Sequence, residues 1–246
     1  MNELPIALVT GASRPEGLGF AVARELAVRG HHVVLAGRNP DRTRALARQL
    51  AGEGHSADAV RLDVTAPADV AACAEFLRGL AGRLDVLVNN AAAMPDFTTT
   101  SLLGADLTEA RTAYDVDVLG SWALVQACLP LLRAAPAARI VNVSSGAAAQ
   151  IAAGTGLREG VRSPGYSLAK YALNAFTATL AAELRETGIL VNAVDPGSVA
   201  THPERGDDAT DRSPAEAALD VVHAATLPAG GPTGALLSAG DPALRA

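Results

Sequence analysis

The stretch TGASRPEGLG, residues 10–19, lies between an apolar run, Leu4–Thr10, and an amphipathic pattern, Gly19–Arg29. The run predicts a strand and the pattern predicts a helix, so the glycines fall in a tight turn between them. Glycines there let the backbone approach a pyrophosphate closely, and the helix N-terminus supplies unpaired N–H groups with partial positive charge. The stretch therefore predicts a dinucleotide-binding turn; a plain strand-to-helix connection is the alternative interpretation.

The rest of the chain repeats this alternation of short aliphatic runs with longer amphipathic patterns. Further strands are predicted at His32–Ala36, Ala59–Leu62, Leu84–Asn89, Arg139–Ser144, Leu190–Asp195 and Ala235–Ser238. Further helices are predicted at Asp41–Ala51, Pro67–Leu80, Thr108–Arg133, Ser167–Glu186 and Pro214–Ala225. This order predicts an α/β fold: a single-domain, doubly wound Rossmann fold with a mostly parallel seven-stranded sheet and helices on both faces.

Three long stretches rich in Gly, Pro, Ser and Thr follow predicted strands, at about residues 94–104, 147–165 and 201–213. In an open α/β sheet, ligands bind beyond the carboxyl ends of the strands. Structureless loops of this length are also uncommon in compact domains unless they have a function. We therefore expect these stretches to be substrate loops of the same domain.

Composition limits the partners of the protein. The 246 residues carry a formal net charge of −6, and the isoelectric point is near 5.3. Binding to nucleic acid or to an anionic membrane needs a basic surface, so neither partner is expected. No signal peptide or uninterrupted membrane-length apolar run is recognisable, so a cytoplasmic protein is expected. The two cysteines, Cys73 and Cys128, are expected to be buried reduced thiols, and no metal site is predicted.

Arginine, not a carboxylate, follows the second predicted strand. An NAD site usually has an acid there that accepts hydrogen bonds from the ribose hydroxyls, but the strand ends at Ala36-Gly37-Arg38-Asn39. Arg38, together with Arg14 in the glycine turn, could form charge-assisted hydrogen bonds with a 2′-phosphate. These residues predict NADP(H) as the cofactor, with two solvated arginines as the alternative.

Several motifs occur in the order, and on the predicted elements, of one protein family. They are the glycine turn, Leu62-Asp63-Val64 after the third strand, Asn89-Asn90-Ala91-Ala92 after the fourth, Asn142-Val143-Ser144-Ser145 after the fifth, Tyr166-Ser167-Leu168-Ala169-Lys170 on a helix, and Asp195-Pro196-Gly197-Ser198-Val199-Ala200-Thr201 after the sixth. Over almost the whole chain they resemble the classical short-chain dehydrogenase/reductase family, in particular its carbonyl-reductase-like members. The resemblance implies that the cofactor contacts Gly11, Ser13, Arg14, Gly17, Leu18, Gly19, Arg38, Asp63, Val64, Asn90, Ala91, Tyr166, Lys170, Pro196, Gly197, Val199 and Thr201.

The resemblance also implies catalysis by Ser145, Tyr166 and Lys170, and their chemistry suits that role. Tyr166 and Lys170 are four residues apart, so both side chains lie on one face of a helix. A phenol with a pKa near ~10 is a poor acid–base group at neutral pH, and a nearby ammonium lowers that pKa. Tyr166 would donate a proton to a carbonyl oxygen as hydride reaches carbon, and Ser145 would hydrogen-bond the same oxygen.

The chain departs from the family pattern at Asp117, which matches the position of the Asn in the family's catalytic tetrad. That Asn helps to hold a water that connects to the lysine, and an ionised Asp could accept from such a water but could not donate. The charge of Asp117 could also pair with Lys170 and weaken its effect on Tyr166. We expect a working but altered proton relay, in which Asp117→Asn raises or preserves activity. Smaller departures are the additional Pro15-Glu16 in the glycine turn and Ala92 in place of Gly.

The predicted substrate loops carry mainly apolar side chains, with hydroxyls and one imidazole. The residues expected to line the pocket are Met94, Phe97, Thr98, Thr99, Ile151, Val161, Val199 and His202. This mixture favours a neutral, fairly apolar ketone, aldehyde or quinone, and therefore a small-molecule carbonyl/alcohol pair as the partner.

Two other functions remain open at this point. The same fold with bound NADP(H) could catalyse a non-redox elimination or cyclisation, which the departure at Asp117 favours. The second alternative is a cofactor-sensing regulator without catalytic activity. Ser145, Tyr166 and Lys170 argue against it, because a sensor would have no need of them. By resemblance, the predicted helices Thr108–Arg133 and Ser167–Glu186 can also pair in a homodimer or homotetramer.

Overall fold

A parallel sheet forms the centre of the molecule. The computed structural model describes residues 4–152, 161–201 and 210–239. The strands in these residues are β1 Ile6–Thr10, β2 His32–Gly37, β3 Ala57–Arg61, β4 Val86–Asn89, β5 Arg139–Val143, β6 Leu190–Asp195 and β7 Leu236–Ser238. They form one seven-stranded sheet in the order β3-β2-β1-β4-β5-β6-β7, in which every neighbouring pair is parallel. The predicted α/β fold is confirmed, and the described sheet is wholly parallel where a mostly parallel one was expected.

Helices cover both faces of this sheet. They are α1 Leu18–Val28, α2 Pro40–Gly52, α3 Pro67–Ala81, α4 Leu107–Tyr114, α5 Ser121–Ala134, α6 Ala147–Ala152, α7 Pro164–Glu183 and α8 Pro214–Ala225. Side chains alternate across β1: Ala7 and Val9 join a core with α1, α2 and α8, whereas Ile6 and Leu8 join a core with α3, α5 and α7. Because both faces of the sheet are covered, its central strands are almost wholly apolar.

The helix predicted over Thr108–Arg133 is interrupted by a π-helical segment, Asp115–Gly120, between α4 and α5. A Cβ at Gly120 would lie 2.6 Å from a methyl carbon of Val64, so this segment approaches the loop after β3 more closely than a larger residue would allow. Such segments are frequent at functional sites, and this one contains Asp117. The regular helical period of the sequence does not reveal it.

The predicted loop 147–165 also contains helical structure. It begins with the six residues of α6, and α7 starts at Pro164, three residues before the predicted Ser167. Proline suits the first helical turn because its missing N–H would have no partner there. Residues 153–160 of this stretch lie outside the described residues.

The helical stretch Leu107–Ala134 is long and apolar enough to cross a membrane by length and composition, with a hydropathy of 1.3. Half of the apolar window is buried inside the fold. There Leu124, Val125 and Cys128 pack in the core that α5 shares with α3 and α7. Packing against the sheet accounts for the apolar character of this helix.

The strand order reverses between β1 and β4, and the crevice outside the carboxyl ends of strands at such a point is the usual ligand site. Thr10 and Asn90 form the floor of this crevice. The N–H groups of Asn90 and Ala91 donate to Thr10 Oγ1 at 3.0 and 2.9 Å. Asn90 Nδ2 donates to the Thr10 carbonyl at 2.8 Å. These bonds fix the ends of β1 and β4 against each other.

Candidate active site

The glycine turn lies directly above this floor. Gly11 has a φ of +68°, and a Cβ there would lie 2.9 Å from Ala91 Cα. A Cβ at Gly19 would lie 2.5 Å from Asn90 Nδ2. Gly17 precedes α1, and no side chain among the described residues caps the first N–H groups of that helix. Compact backbone and uncapped N–H groups together form a cradle that suits an anionic group.

Ser145, Tyr166 and Lys170 meet at the carboxyl end of β5. Ser145 follows the strand, and its hydroxyl accepts from the Ala147 N–H at 3.2 Å. Lys170 is 2% exposed and donates to the Val143 carbonyl at 2.8 Å. Its Nζ lies 5.4 Å from the centre of the Tyr166 ring. The structure therefore brings the three predicted catalytic residues together, on the sheet edge where the glycine turn also lies.

Burial raises the pKa of the Tyr166 phenol above its ordinary value, because desolvation disfavours the phenolate. The Lys170 ammonium and a hydrogen bond with Ser145 lower this pKa, whereas the carboxylates of Asp117 and Asp195 raise it further. The protein by itself thus keeps Tyr166 protonated, which is the form that can donate a proton to a carbonyl oxygen.

Asp117 lies beside Lys170, as the departure from the family pattern predicts. Its Oδ2 is 3.7 Å from Lys170 Nζ, and the two side chains are 0% and 2% exposed. Asp117 Oδ1 accepts from the Ala93 N–H at 2.8 Å, while Oδ2 has no hydrogen-bond partner among the described atoms. Burial raises the pKa of Asp117, and Lys170 and the Ala93 amide oppose this rise. The pairing is present, and the altered relay stays a prediction.

Asp96 is a residue of the site that sequence reasoning missed. It is 2% exposed, and its Oδ2 accepts from the N–H groups of Gly165 at 2.6 Å and Tyr166 at 3.4 Å. Both N–H groups lie in the first turn of α7, where a carboxylate is favoured by the helix dipole. Ser163 ties the same loop to the helix by donating its N–H to the Thr99 carbonyl at 2.8 Å. The sequence showed only an acidic residue in a predicted substrate loop, and such a residue can have many roles, so it did not indicate a contact with α7.

A buried amide ladder, also missed, fixes α7 on the sheet. Asn89 Nδ2 donates to Asn142 Oδ1 at 2.8 Å, and Asn142 Nδ2 donates to Thr177 Oγ1 at 2.8 Å. The ladder connects β4 and β5 to the helix that carries Tyr166. Two asparagines in otherwise apolar strands were a signal for it, because buried amides need hydrogen-bond partners.

Two arginines lie together on the outer side of the glycine turn. Arg14 and Arg42 line a cavity of about 520 Å³ with Ser13 and Glu16. Arg14 Nη2 also donates to the Thr201 carbonyl at 2.8 Å, which joins the glycine turn to the loop after β6. The sequence had indicated Arg14 but not Arg42, because four intervening residues separate Arg42 from the end of β2.

Arg38 and Asp63 follow the neighbouring strands β2 and β3. Asp63 Oδ1 accepts from the N–H and the hydroxyl of Thr65 at 3.0 and 2.7 Å. These hydrogen bonds, and to a smaller extent the charge of Arg38, lower the pKa of the Asp63 carboxyl. Arg38 is exposed and Val64 is partly buried. The structure places all three at the carboxyl edge of the sheet, on the side away from Ser145.

The loop after β6 completes this edge. Gly197 has a φ of +73°, and its N–H donates to Asp195 Oδ1 at 3.0 Å. The Arg212 side chain donates to the Pro196 carbonyl at 2.8 Å, and the Arg212 backbone forms an isolated parallel β-bridge with Val199. Pro196, Gly197, Val199 and Thr201 therefore lie at the end of a strand that pairs with β5, which Ser145 follows.

Most of the predicted lining residues are at least partly exposed: Met94, Phe97, Thr98, Thr99, Ile151 and Val199. Val161 is 4% exposed, so it presents little surface to a ligand. His202 lies outside the described residues.

The sequence model of the short chain dehydrogenase family matches residues 5–211. The chain belongs to the short-chain dehydrogenase family. Among relatives of this short-chain dehydrogenase, the oxidoreductase UcpA of Escherichia coli K12 is 35% identical over 198 residues, which are 79% of this chain and 69% of UcpA. An uncharacterized oxidoreductase of Staphylococcus epidermidis is 31% identical over 226 residues, which are 91% of each chain.

Solved structures agree with this assignment. A short chain dehydrogenase from Mycobacterium smegmatis is 28% identical, with a TM-score of 0.79 over 96% of this chain and 91% of that one. A short chain dehydrogenase from Salmonella enterica serovar Typhi has a TM-score of 0.82 over 96% of both chains, and at 24% identity it shows the fold alone. The protein is thus an oxidoreductase of this family.

Short-chain dehydrogenases use a nicotinamide cofactor, NAD or NADP, and act on small molecules. The residues of this chain fit such a group, because glycines let the turn pack directly on Asn90 and Ala91, and no N-cap side chain covers the first N–H groups of α1. In the described part of the chain, no cluster of three or more His, Cys, Asp or Glu residues could hold a metal ion. Cys73 and Cys128 are free and buried, as predicted, and burial raises the pKa of each thiol to about 12.

Proposed function

We propose that this short-chain dehydrogenase uses NADP(H) to reduce a neutral, apolar ketone, aldehyde or quinone to the corresponding alcohol. The observation that carries the proposal is the meeting of Ser145, Tyr166 and Lys170 at one sheet edge beside the glycine turn. A hydroxyl donor, a proton donor and a cation at one point suit the addition of hydride to a carbonyl carbon.

Each of these side chains has one role in the reaction. NADPH, when bound, supplies the hydride. Tyr166 donates its phenolic proton to the carbonyl oxygen, and Ser145 hydrogen-bonds that oxygen as negative charge develops on it. Lys170, held by the Val143 carbonyl, stabilises the phenolate that remains until a proton returns from solvent.

Cationic side chains on the adenosine side of the crevice support NADP(H) over NAD(H). Arg14 and Arg42 line one cavity, and Arg38 follows β2 where NAD sites usually have a carboxylate. Guanidinium groups bind phosphate through charge-assisted, often bidentate, hydrogen bonds. We therefore propose these three arginines as ligands of the 2′-phosphate. Glu16 lines the same cavity and reduces its net positive charge.

The exposed loop side chains support an apolar substrate. Phe97, at 37% exposure, and the partly exposed Met94 lie in the loop after β4, and Ile151 lies on α6 after Ser145. Threonine hydroxyls at Thr98 and Thr99 add polar contacts without charge. A ligand pocket of this character favours neutral carbonyl compounds over carboxylates or phosphate esters.

A non-redox elimination or cyclisation is the second candidate function. The observation that favours it is the carboxylate of Asp117, 3.7 Å from Lys170, because that charge opposes formation of the phenolate. Carbonyl reduction nevertheless fits the site better, since it starts from the protonated form of Tyr166 that the surroundings favour.

We further propose that two copies associate through α5 and α7. Leu119, Trp122 and Tyr171 are about half exposed on and beside these helices. The centre of the Trp122 ring lies 5.4 Å from that of the Phe176 ring, so aromatic side chains of the two helices meet on this side of the molecule. Exposed aromatic patches are typical of protein–protein interfaces. Light scattering after size-exclusion chromatography should give a dimer, or a tetramer built from it, and Trp122→Glu should dissociate it.

NADPH oxidation by the purified protein tests the catalytic proposal. Ketones, aldehydes, diketones and quinones are supplied in turn, with NADH in parallel, and the alcohol product is quantified. We expect NADPH consumption equal to product formation, with much slower turnover of NADH. Tyr166→Phe should abolish turnover and leave NADPH binding nearly intact. Tyr171→Phe, an exposed tyrosine on the same helix, is the matched control and should keep its activity.

Other outcomes would redirect the assignment. Turnover by Tyr166→Phe would remove the phenol from the mechanism, and equal use of NADH would contradict the role of the arginines. Product formation without net NADPH consumption would favour the non-redox function.

A further inference from the structure

Asp117 adds a second charge to the centre of the site. Its Oδ2 lies 3.7 Å from Lys170 Nζ, and both side chains are almost completely buried. The Ala93 N–H holds the other carboxylate oxygen at 2.8 Å, so the carboxylate is fixed beside the ammonium. Charges shielded from water interact strongly and are little screened by salt. The ionised carboxylate of Asp117 therefore opposes the effect of Lys170 on nearby groups: it raises the pKa of Tyr166, which the ammonium lowers.

The charged groups around Tyr166 are mainly acidic. Lys170 lies on the same helix, Asp117 lies in the π-helical segment, and Asp195 lies at the end of β6. Asp96, in the loop after β4, accepts from the Tyr166 N–H at 3.4 Å. Of these charged side chains, the carboxylates of Asp117 and Asp195 raise the pKa of the phenol, and the Lys170 ammonium lowers it. The family pattern has a neutral Asn at the position of Asp117, so this extra charge is a property of the present chain.

We propose that Asp117 is a positioning residue that biases the enzyme toward carbonyl reduction by neutralising Lys170. The inference rests on the proposed function and gives a physical cause for its reductive direction. Asp117 acts through Lys170, whose charge is the main stabiliser of a phenolate at Tyr166. With that charge offset, Tyr166 stays protonated to higher pH.

The two directions of the reaction need opposite forms of the phenol. In reduction the O–H bond of Tyr166 breaks, its proton goes to the carbonyl oxygen, and a hydride from the reduced nicotinamide brings two electrons to the carbonyl carbon. In oxidation the phenolate takes the proton of the alcohol, and the hydride leaves carbon for the oxidised nicotinamide. Asp117 therefore favours the reductive form at neutral pH and confines oxidation to more alkaline solution.

Spectrophotometric titration of the phenol tests the inference without substrate or cofactor. The chain has three tyrosines, so the Tyr166 signal is the difference between each protein and its Tyr166→Phe counterpart. Asp117→Asn keeps the shape of the side chain and its acceptor for Ala93 but removes the charge. It should lower the pKa of Tyr166 by roughly one to two pH units. Asp115→Asn, in the same π-helical segment, is the matched control and should leave the titration unchanged.

The pH dependence of kcat/KM in both directions gives a second readout. Asp117→Asn should move the alkaline limit of reduction and the acid limit of oxidation to lower pH together. Oxidation near neutral pH should then rise roughly tenfold for each pH unit of displacement, because the phenolate fraction rises by that factor. Asp117→Ser, a second neutral variant, should displace both limits in the same direction if Asp117→Asn does not fold.

An unchanged Tyr166 titration in a folded Asp117→Asn protein would overturn the inference, even if the enzyme reduces carbonyls as proposed. Unchanged pH limits in both neutral variants would overturn it as well. If Asp117→Asn lowers the pKa of Tyr166 but none of the carbonyl compounds supports NADPH oxidation, the proposed function is overturned and the effect of Asp117 on Tyr166 is not.

Discussion

Replacing Asp96 with alanine should destabilise the end of α7 that carries Tyr166 and Lys170. The carboxylate is 2% exposed and accepts from Gly165 N–H at 2.6 Å and from Tyr166 N–H at 3.4 Å. A hydrogen bond to a charged group contributes about 1.5–3 kcal/mol, and the longer bond adds little. Removal of the whole carboxylate also removes its own desolvation cost. Because the removed desolvation cost offsets part of this contribution, we expect the free energy of unfolding to fall by about 1.5–2 kcal/mol, the lower part of the range.

Urea unfolding followed by circular dichroism measures this loss. The midpoint should move to lower urea while the m value stays constant. For a domain of this size, the same loss lowers Tm by roughly 3–8 °C. Asp106→Ala is the matched control: Asp106 caps α4 by accepting from Thr108 N–H at 2.7 Å, but it is exposed. Loss of this exposed cap should cost about 1 kcal/mol.

Loss of the Asp96 contact should also lower catalytic activity, because movement of the first turn of α7 displaces Tyr166. We expect kcat to fall more in Asp96→Ala than in Asp106→Ala, with NADPH affinity nearly constant. The kcat and the free energy of unfolding of Asp96→Asn should lie between those of wild type and Asp96→Ala, since an amide oxygen can still accept from the Gly165 N–H. If Asp96→Ala loses no more stability than Asp106→Ala, the assigned anchoring role is refuted.

Three further outcomes follow from the described contacts. Arg42→Ala should raise the KM for NADPH roughly tenfold while leaving the KM for NADH unchanged, and equal changes in both would contradict a 2′-phosphate contact. Cys73 and Cys128 should resist an aromatic disulfide reagent at mildly alkaline pH in the native protein and react in urea, because burial raises the pKa of each thiol to about 12. Gly19→Ala should lower both Tm and NADPH affinity, since its Cβ would lie 2.5 Å from Asn90 Nδ2; wild-type affinity in a fluorescence titration would count against the cradle.

Much of the site was predictable because its signals are local in the chain. The glycine turn needs compact residues at fixed spacing between a strand and a helix. Tyr166 and Lys170 lie on one face of a helix because they are four residues apart. Ser145 lies at the carboxyl edge of the sheet because it follows β5. Asp117 was visible as a departure from a motif, although its burial was not.

Other features depended on residues that are distant in the chain. Asp96 reaches a helix end 69 residues later, and Arg14 meets Thr201 across 187 residues. The π-helical segment includes Gly120, which closely approaches Val64 of the loop after β3, and helical periodicity does not encode this contact. Arg42 joins Arg14 because α2 packs beside the glycine turn.

The sequence by itself determined the alternation of strands and helices, the largely apolar strands of a covered sheet, and the types of residue available for catalysis. Hydrophobic periodicity and backbone chemistry act over a few neighbouring residues, so they can be read from a single chain. The tertiary structure alone decided which charges share one buried space. It places Asp117 3.7 Å from Lys170 and away from water. That distance and burial set the strength of the electrostatic interaction, because Coulomb energy depends on separation and on the surrounding dielectric.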